Sequence, residues 1–586
     1  MRSILLPLAF ASSVLAAADI NGPWVASRQR PDGQVTEMQF NFKQTAEAFT
    51  GSVSMMMGEQ KIVDGHIEGG TIKFETVMDF FGQERRMKWE GKLEGDELKL
   101  KMVGGPPPGM GPPPPTGGGG PGGPGGPRPG GGGGPFGGGE MVAKRGESAS
   151  LKARAEANAK RPKPTLPELK PLTPDGLAPT PPMGWNSFNK FGLRINDKLI
   201  REVADALVSS GLRDAGYVYL NLDDGWQGKR DGNGVLQPQA GFPDMKALGD
   251  YLQAKGLRFG IYSSPGPQTC GGFEGSHGYE EQDARTFAAW GVDLVKYDWC
   301  SASRVYAIAD QQRVYQKFGE ALRATGRPIV LSLCQYGANN VGQWGAAAGG
   351  HLWRTTMDIR NNWASVDSIG FAQNDWAKFA GPGGWNDPDM LEVGNGGLNA
   401  DEERAHFTLW AMLAAPLIAG HDVRATAPDS LAVLINKEVI AIDQDRLGRA
   451  ASRIAQDGDA EVWVKPLSGG TWAIALFNRG GAPRQMGAAR NLVPGAGTLA
   501  VRDVWAGKDL GEFSQLETTV PAHGWCCCTP NVYPNSHIAG HKQTRYARHT
   551  LGRVRLSVHK FAATMEHLAR QMHLSKRDEQ DTGRYR

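Results

Sequence analysis

Residues 294–300 read Leu294-Val295-Lys296-Tyr297-Asp298-Trp299-Cys300, and residues 218–226 read Val218-Tyr219-Leu220-Asn221-Leu222-Asp223-Asp224-Gly225-Trp226. Each is a short apolar run that ends on a carboxylate, the pattern of a strand buried on both faces with a polar end. Further runs follow at Phe259-Gly260-Ile261-Tyr262, Ile329-Val330-Leu331-Ser332-Leu333, Leu352-Trp353-Arg354-Thr355-Thr356 and residues 414–418. Segments of helical period lie between several of them, at residues 198–210, 244–255, 280–290 and 307–324. Strand-then-helix units over about 250 residues favour a (β/α)8 TIM barrel, here residues 177–447, over an open doubly wound sheet. No GxGxxG or P-loop follows an early strand, which weighs against nucleotide binding.

Working outward, residues 448–530 return to alternating strands such as Glu461-Val462-Trp463-Val464 and Thr471-Trp472-Ala473-Ile474, the texture of a C-terminal antiparallel β-sandwich. Residues 19–103 carry short alternating runs separated by Asp64-Gly65 and Gly95-Asp96, and read as a small N-terminal all-β domain, sandwich or barrel. Between this unit and the α/β region, residues 104–176 form a Gly/Pro-rich and then basic linker. Its first part is too poor in apolar side chains to offset chain entropy.

The 586 residues hold 64 Lys+Arg against 61 Asp+Glu, a net charge of +3, which excludes a strongly basic nucleic-acid binder. Six Cys in such a length exclude a disulfide-built scaffold. At the start, Arg2, an apolar run over residues 4–15 and Ala16-Ala17-Ala18 read as a signal peptide over residues 1–18, so a secreted or periplasmic location is expected. No other segment approaches a membrane span. Residues 531–586 carry 11 Lys/Arg, 4 Asp/Glu and half of all 12 His. This basic tail reads as a non-native or disordered end, with a basic interaction tail and a His/Cys metal region as competing readings. Trp525-Cys526-Cys527-Cys528 stands where an apolar strand is expected to close the sandwich, and three adjacent Cys lack metal-ligand spacing.

The chemistry lies at the strand ends. Asp223-Asp224, Asp298, Gln335-Tyr336, Arg354 with Asp358, and Asp387-Pro388-Asp389 each follow a strand-like run. In a barrel these ends converge on one face, so carboxylates, Lys, Arg and Trp would line one pocket. A lone carboxylate there is a cap or a turn residue; successive ones with two cations suit a sugar. Cleaving a glycoside then needs two carboxyl groups in different protonation states.

Met183-Gly184-Trp185-Asn186-Ser187, Leu222-Asp223-Asp224-Gly225-Trp226, Lys296-Tyr297-Asp298-Trp299-Cys300, Ser332-Leu333-Cys334 and residues 381–390 resemble, in order, the α-galactosidases of glycoside hydrolase family 27. The resemblance spans residues 177–522 and leaves out the N-terminal unit, the linker and the tail. It implies a retaining exo-α-galactosidase with Asp298 as nucleophile and Asp358 as acid/base. It places Trp185 as an apolar platform, Asp223 and Asp224 on the 4- and 6-hydroxyls, and Tyr262, Lys296, Gln335, Arg354 and Asp389 around the sugar. It pairs Cys270 with Cys300, makes Cys334 a wall thiol, and implies no metal or other cofactor. The partner it implies is an α-galactoside oligosaccharide or polysaccharide; oligomeric state is left open.

Two departures from the family stand out. Gly225 replaces a Cys common after the Asp pair, which removes a second disulfide. Gln335 replaces a frequent Glu in the loop that admits a 2-hydroxyl or a 2-acetamido group. Small residues there accompany the N-acetylgalactosaminidases, so Gln335 favours galactose, with α-N-acetylgalactosaminidase and a non-catalytic carbohydrate-binding protein as alternatives. Asp at both positions of the 223–224 pair argues against the β-L-arabinopyranosidase branch.

Overall fold

The computed structural model describes residues 19–29, 35–55, 58–80, 83–103, 140–159, 165–489, 499–513 and 515–532. They form two compact units. The residues expected to be the signal peptide, the Gly/Pro run 104–139 and the tail beyond Val532 lie outside those described.

The first unit is a closed antiparallel barrel of eight strands in sequence order. They are β1 (Gly22–Gln29), β2 (Val35–Thr45), β3 (Ala48–Met55), β4 (Gly58–Glu68), β5 (Thr71–Phe80), β6 (Gln83–Glu94), β7 (Glu97–Val103) and β8 (Met141–Arg145). Alternation sends Met38, Phe40 and Phe42 of β2, Ile72 and Phe74 of β5, and Leu98 and Leu100 of β7 into one core with Trp24 and Trp89. Ring pairs such as Phe74 stacked on Trp89 at 5.9 Å fill it. Closure removes every sheet edge. The expected domain end at residue 103 is corrected here. Strand β8 pairs with both β1 and β7, so the Gly/Pro run joins two strands of one barrel instead of two domains. Helix Ala149–Ala159 follows, where linker was expected.

The second unit begins with a Pro-rich stretch that the sequence reading also assigned to the linker. It packs as a strap instead. Arg313 Nε donates to Pro167 O (2.8 Å), Gln316 Nε2 to Glu168 O (2.9 Å) and Arg323 Nη1 to Thr173 O (2.6 Å). Leu172 N adds a backbone bond to Ala347 O (2.8 Å), so extended backbone outside any sheet is satisfied largely by long side chains.

Eight parallel strands make a TIM-barrel-like sheet: β9 (Met183–Asn186), β10 (Tyr219–Asn221), β13 (Arg258–Ser263), β14 (Val292–Asp298), β15 (Val330–Cys334), β16 (Leu352–Arg354), β17 (Trp385–Asp387) and β18 (Leu417–Ala419). A hairpin of β11 (Gln227–Arg230) and β12 (Leu236–Pro238) is inserted after β10. Strand β18 returns beside β9, and a parallel bridge between Leu391 and Ala419 joins the segment after β17 to β18. The strands read as continuous apolar runs because both faces are covered. Helix Asp197–Ser209 is representative of the outer layer. Asn196 caps it through Leu199 N (2.9 Å), and Ile200, Val203, Ala204 and Leu207 bury one stripe.

The C-terminal part is a β-sandwich. Its larger sheet runs β19 (Ser452–Asp457), β20 (Ala460–Pro466), β21 (Trp472–Asn478), β26 (Gly524–Val532), β23 (Leu499–Asp503), β24 (Lys508–Phe513), and the smaller pairs β22 (Arg484–Ala489) with β25 (Gln515–Val520). Val464, Ile474, Leu476, Leu516 and Val520 share its core. Here the Trp525–Cys528 expectation is corrected. That segment is the closing strand, with Leu476 opposite Cys526 and Ile474 opposite Cys528, and it runs past the expected boundary at residue 530.

Candidate active site

Parallel register sets the site. Tyr262 pairs with Lys296, Asp298 with Cys334, and Arg354 with Asp387, so the C-terminal strand ends carry their functional side chains to one rim.

On one side of this rim, Asp223 Oδ2 accepts from Lys296 Nζ (2.8 Å) and Asn186 Nδ2 (2.8 Å), while Asp223 Oδ1 accepts from Asp224 N (2.9 Å). Asp224 Oδ2 accepts from Gly271 N (2.5 Å), but its Oδ1 is buried without a partner. Burial lifts the Asp224 carboxyl to about 7 against the pull of the Gly271 amide and the Thr269 hydroxyl. The adjacent pair is therefore asymmetric, with Asp223 matched to a cation and Asp224 poised to hold a proton. The Tyr262 hydroxyl is likewise buried and unpartnered, and Lys296 lies 5.4 Å from its ring. The Trp185 indole is buried, with Nε1 donating to His421 O (2.7 Å) and Phe191 beside it at 6.1 Å.

On the other side, Arg354 Nη2 lies 3.0 Å from Asp358 Oδ1 and 2.9 Å from Asp389 Oδ2. Asp389 sits at φ +85°, a conformation rare for a residue with a Cβ, and is held by Met390 N and Ile359 N (2.9 and 2.8 Å). Gln335 is fully buried with neither amide atom partnered.

The two carboxylates singled out from the sequence differ sharply. Asp298 is only 4% exposed, whereas the Asp358 side chain is 56% exposed. Burial pushes the Asp298 carboxyl up to about 6; the Lys296 ammonium and the Tyr336 hydroxyl oppose this, while Asp358 and Asp223 add to it. The two are linked by a continuous path. Tyr336 OH donates to Asp298 Oδ1 (2.7 Å), the Arg354 guanidinium carbon is 5.7 Å from the Tyr336 ring centre, and Arg354 pairs with Asp358.

The disulfide Cys270–Cys300 is formed, with its Cα atoms 5.1 Å apart. Among the described residues, one group of three metal-donor side chains comes together, namely Cys270, Cys300 and Asp298; with the sulfurs joined to each other only the carboxylate remains. A small cavity of about 40 Å³ within the barrel touches Asn186, Lys296, Ser332, Arg354 and Asp389. It reaches down from the rim between the strands, lined by Asp387 and Asp389 but not by Asp298 or Asp358.

All ten site residues expected from the sequence fall on this rim or directly behind it. Tyr336, Asn186 and Asp387 were not assigned a role. Asp387 Oδ1 accepts Asp389 N (2.9 Å), and burial pushes its carboxyl up to about 6 with Arg354 opposing. Asn186 and Asp387 stand inside quoted motifs and Tyr336 directly beside Gln335, so the signal was adjacency to an assigned residue.

A TIM-barrel-like sheet whose rim gathers buried and exposed carboxylates with Lys and Arg, followed by a β-sandwich, defines a glycoside hydrolase architecture. Residues 180–445 match the family model described as α-galactosidase A, and residues 457–528 match that of the α-galactosidase C-terminal β-sandwich domain. The α-galactosidase A of Cellvibrio japonicus is 48% identical over 316 residues, covering 52% of this chain and 77% of that protein. The α-galactosidase of Cyamopsis tetragonoloba is 47% identical over 341 residues, 57% of this chain and 82% of the relative. The crystal structure of α-galactosidase I from Mortierella vinacea aligns with a TM-score of 0.59 and 36% identity over 62% of this chain and 100% of that one. The chain belongs to the α-galactosidases of glycoside hydrolase family 27.

Proposed function

We propose that the protein is a retaining exo-α-galactosidase that removes terminal α-D-galactosyl residues, and that Asp298 and Asp358 are its catalytic pair. The observation that carries the reading is the contrast between these two carboxyls, linked through Tyr336 and Arg354. The nucleophile must be an anion fixed against the anomeric carbon. Asp298 is buried at a strand end, in the field of Lys296 and bonded by Tyr336. The acid/base must exchange its proton with the departing sugar and then with water, which suits the exposed Asp358.

In this mechanism Asp358 protonates the glycosidic oxygen while Asp298 bonds to C1. Water, deprotonated by Asp358, then displaces Asp298 and restores the original anomeric configuration. Asp223 and Asp224 receive the 4- and 6-hydroxyls, where the unpartnered Asp224 Oδ1 and Tyr262 hydroxyl await polar groups. Arg354 holds the region of the 2-hydroxyl together with Asp389, and Trp185 backs the apolar sugar face. Gln335, buried with an unpartnered amide, supports a 2-hydroxyl over a 2-acetamido group.

The deciding experiment compares nitrophenyl α-galactoside with nitrophenyl α-N-acetylgalactosaminide and follows the anomer released by proton NMR. Galactoside cleavage with α-galactose as first product is expected. Faster cleavage of the acetamido sugar, or β-galactose first, would overturn the assignment. The disulfide is consistent with an oxidising, secreted or periplasmic location. N-terminal sequencing of exported protein tests it, with a start near Asp19 expected.

A further inference from the structure

Tyr336 follows β15 in a left-handed conformation, φ +61°, and the next turn holds Asn339 and Asn340 at φ +55° as well. Such backbone is unfavourable for a residue with a Cβ and persists where the surroundings impose it. The result here is a phenol aimed at one oxygen. Tyr336 OH donates to Asp298 Oδ1 at 2.7 Å and lies 3.8 Å from the sulfurs of both Cys270 and Cys300. Among the described residues no hydrogen bond reaches Asp298 Oδ2. The disulfide thus walls in the hydroxyl, and the hydroxyl distinguishes the two oxygens of the carboxylate.

We infer that Tyr336 is a positioning residue for the galactosyl transfer, fixing Asp298 Oδ1 so that Oδ2 is the attacking atom and steadying the carboxylate as it is released. The inference rests on Asp298 being the nucleophile. In the first step the Oδ2–C1 bond forms as the glycosidic C1–O bond breaks, and the leaving oxygen takes the Asp358 proton. In the second, a water that gives its proton to Asp358 bonds to C1, the Oδ2–C1 bond breaks, and its electron pair returns to Asp298. Between the steps Oδ1 is an ester carbonyl, a weaker acceptor than a carboxylate. A donor on Oδ1 therefore favours the second step and restrains the first.

Other groups facing Asp298 also bear on its ionisation: Lys296 on its own strand, Asp223 and Asp224 after β10, Tyr262 on β13, Tyr315, Cys334 on β15, and Asp358 beyond β16. Tyr336→Phe leaves all of these in place and removes one donor.

The test uses Tyr336→Phe in the full chain with dinitrophenyl α-galactoside, whose good leaving group makes the second step limiting. The hydrogen bond to an ionised group predicts about a tenfold fall in kcat. KM should fall with it, kcat/KM at alkaline pH should stay within about threefold, and a galactosyl-enzyme should accumulate in quenched samples. The acid limb of kcat/KM should rise by about one pH unit. An unmoved limb, or kcat and kcat/KM falling together without an accumulating intermediate, would overturn the inference. KM and the limb do not depend on the fraction folded, so partial loss of fold leaves the test intact. Asp298→Gly with azide, run alongside, isolates the underlying assignment. Formation of β-galactosyl azide upholds the nucleophile whatever Tyr336→Phe shows, and an active Asp298→Gly protein removes both.

Discussion

Lys296 Nζ sits 2.8 Å from Asp223 Oδ2 while its charge also lowers the pKa of Asp298 two residues along the same strand. One cation thus serves both the carboxylate proposed to hold the sugar and the one proposed to attack it. Lys296→Met should strand Asp223 as a buried charge and raise Asp298. With Asp298 as the proposed nucleophile, activity should require its ionised form and be lost as pH falls through about 6 in the parent protein. The variant's acid limb should stand higher, and its kcat/KM should drop by about 100-fold or more. A pH series with nitrophenyl α-galactoside measures both; an unshifted limb would contradict the coupling.

Asp358 stands half in solvent with Arg354 shared between it and Asp389. Asp358→Ala should reduce cleavage of unactivated galactosyl oligosaccharides by about 10²–10⁴-fold. Bond-breaking with dinitrophenyl α-galactoside, which needs no proton, should suffer far less. Burst kinetics on the activated substrate separate the steps, and equal losses on both substrates would count against the acid role.

Asp443 is fully buried, with Oδ1 unpartnered and Oδ2 accepting from Gln444 Nε2 at 2.7 Å. Burial raises its carboxyl to about 8, with Lys465 opposing. A raised folded value means the protonated group supports stability fully below about pH 4, and that support is lost as pH climbs to about 8. Asp443→Asn keeps the neutral form throughout. Its stability relative to the parent should grow across that window, reaching at least ~1 kcal/mol at pH 8. Urea melts at pH 5 and pH 8 check this; a pH-independent difference would refute it.

The Cys270–Cys300 bridge spans 30 residues and contacts the Tyr336 hydroxyl. Replacing both cysteines by Ser should cost about 3–4 kcal/mol from loop entropy. It should also loosen Tyr336 and lift the acid limb. Thermal melts with and without reductant, paired with the pH profile, distinguish these effects. Unchanged melting would show that the bridge adds little.

The barrel was legible because its strands are buried on both faces and end on carboxylates, a signal local to each run. Long-range pairing leaves no such trace. Met141-Val142-Ala143-Lys144-Arg145 buries only Ala143 and follows a long Gly/Pro run, so nothing local marks it as the eighth strand. The Pro-rich strap was read as tether because its partners are side chains of a helix some 150 residues away, as in the contacts of Arg313 with Pro167 and Arg323 with Thr173. Cys526 to Cys528 were weighed as metal ligands and as a break in the expected apolar strand, although Cys also serves as a small apolar strand residue. Tyr336 stands out in the sequence as a strand-end residue but carries no assigned role there, because its direction depends on a left-handed turn, which residue types alone do not reveal.

Strand β8 belongs to the barrel that precedes the Gly/Pro run, although it follows that run in sequence. A single backbone cut anywhere in residues 104–139 would therefore not free the module. It would leave β1–β7 on one polypeptide and β8 on the other, clasped like the halves of a split reporter. Denaturing electrophoresis would show two bands where gel filtration still finds one particle. Trimming the chain to begin at residue 140 would instead leave β8 a strand without a sheet.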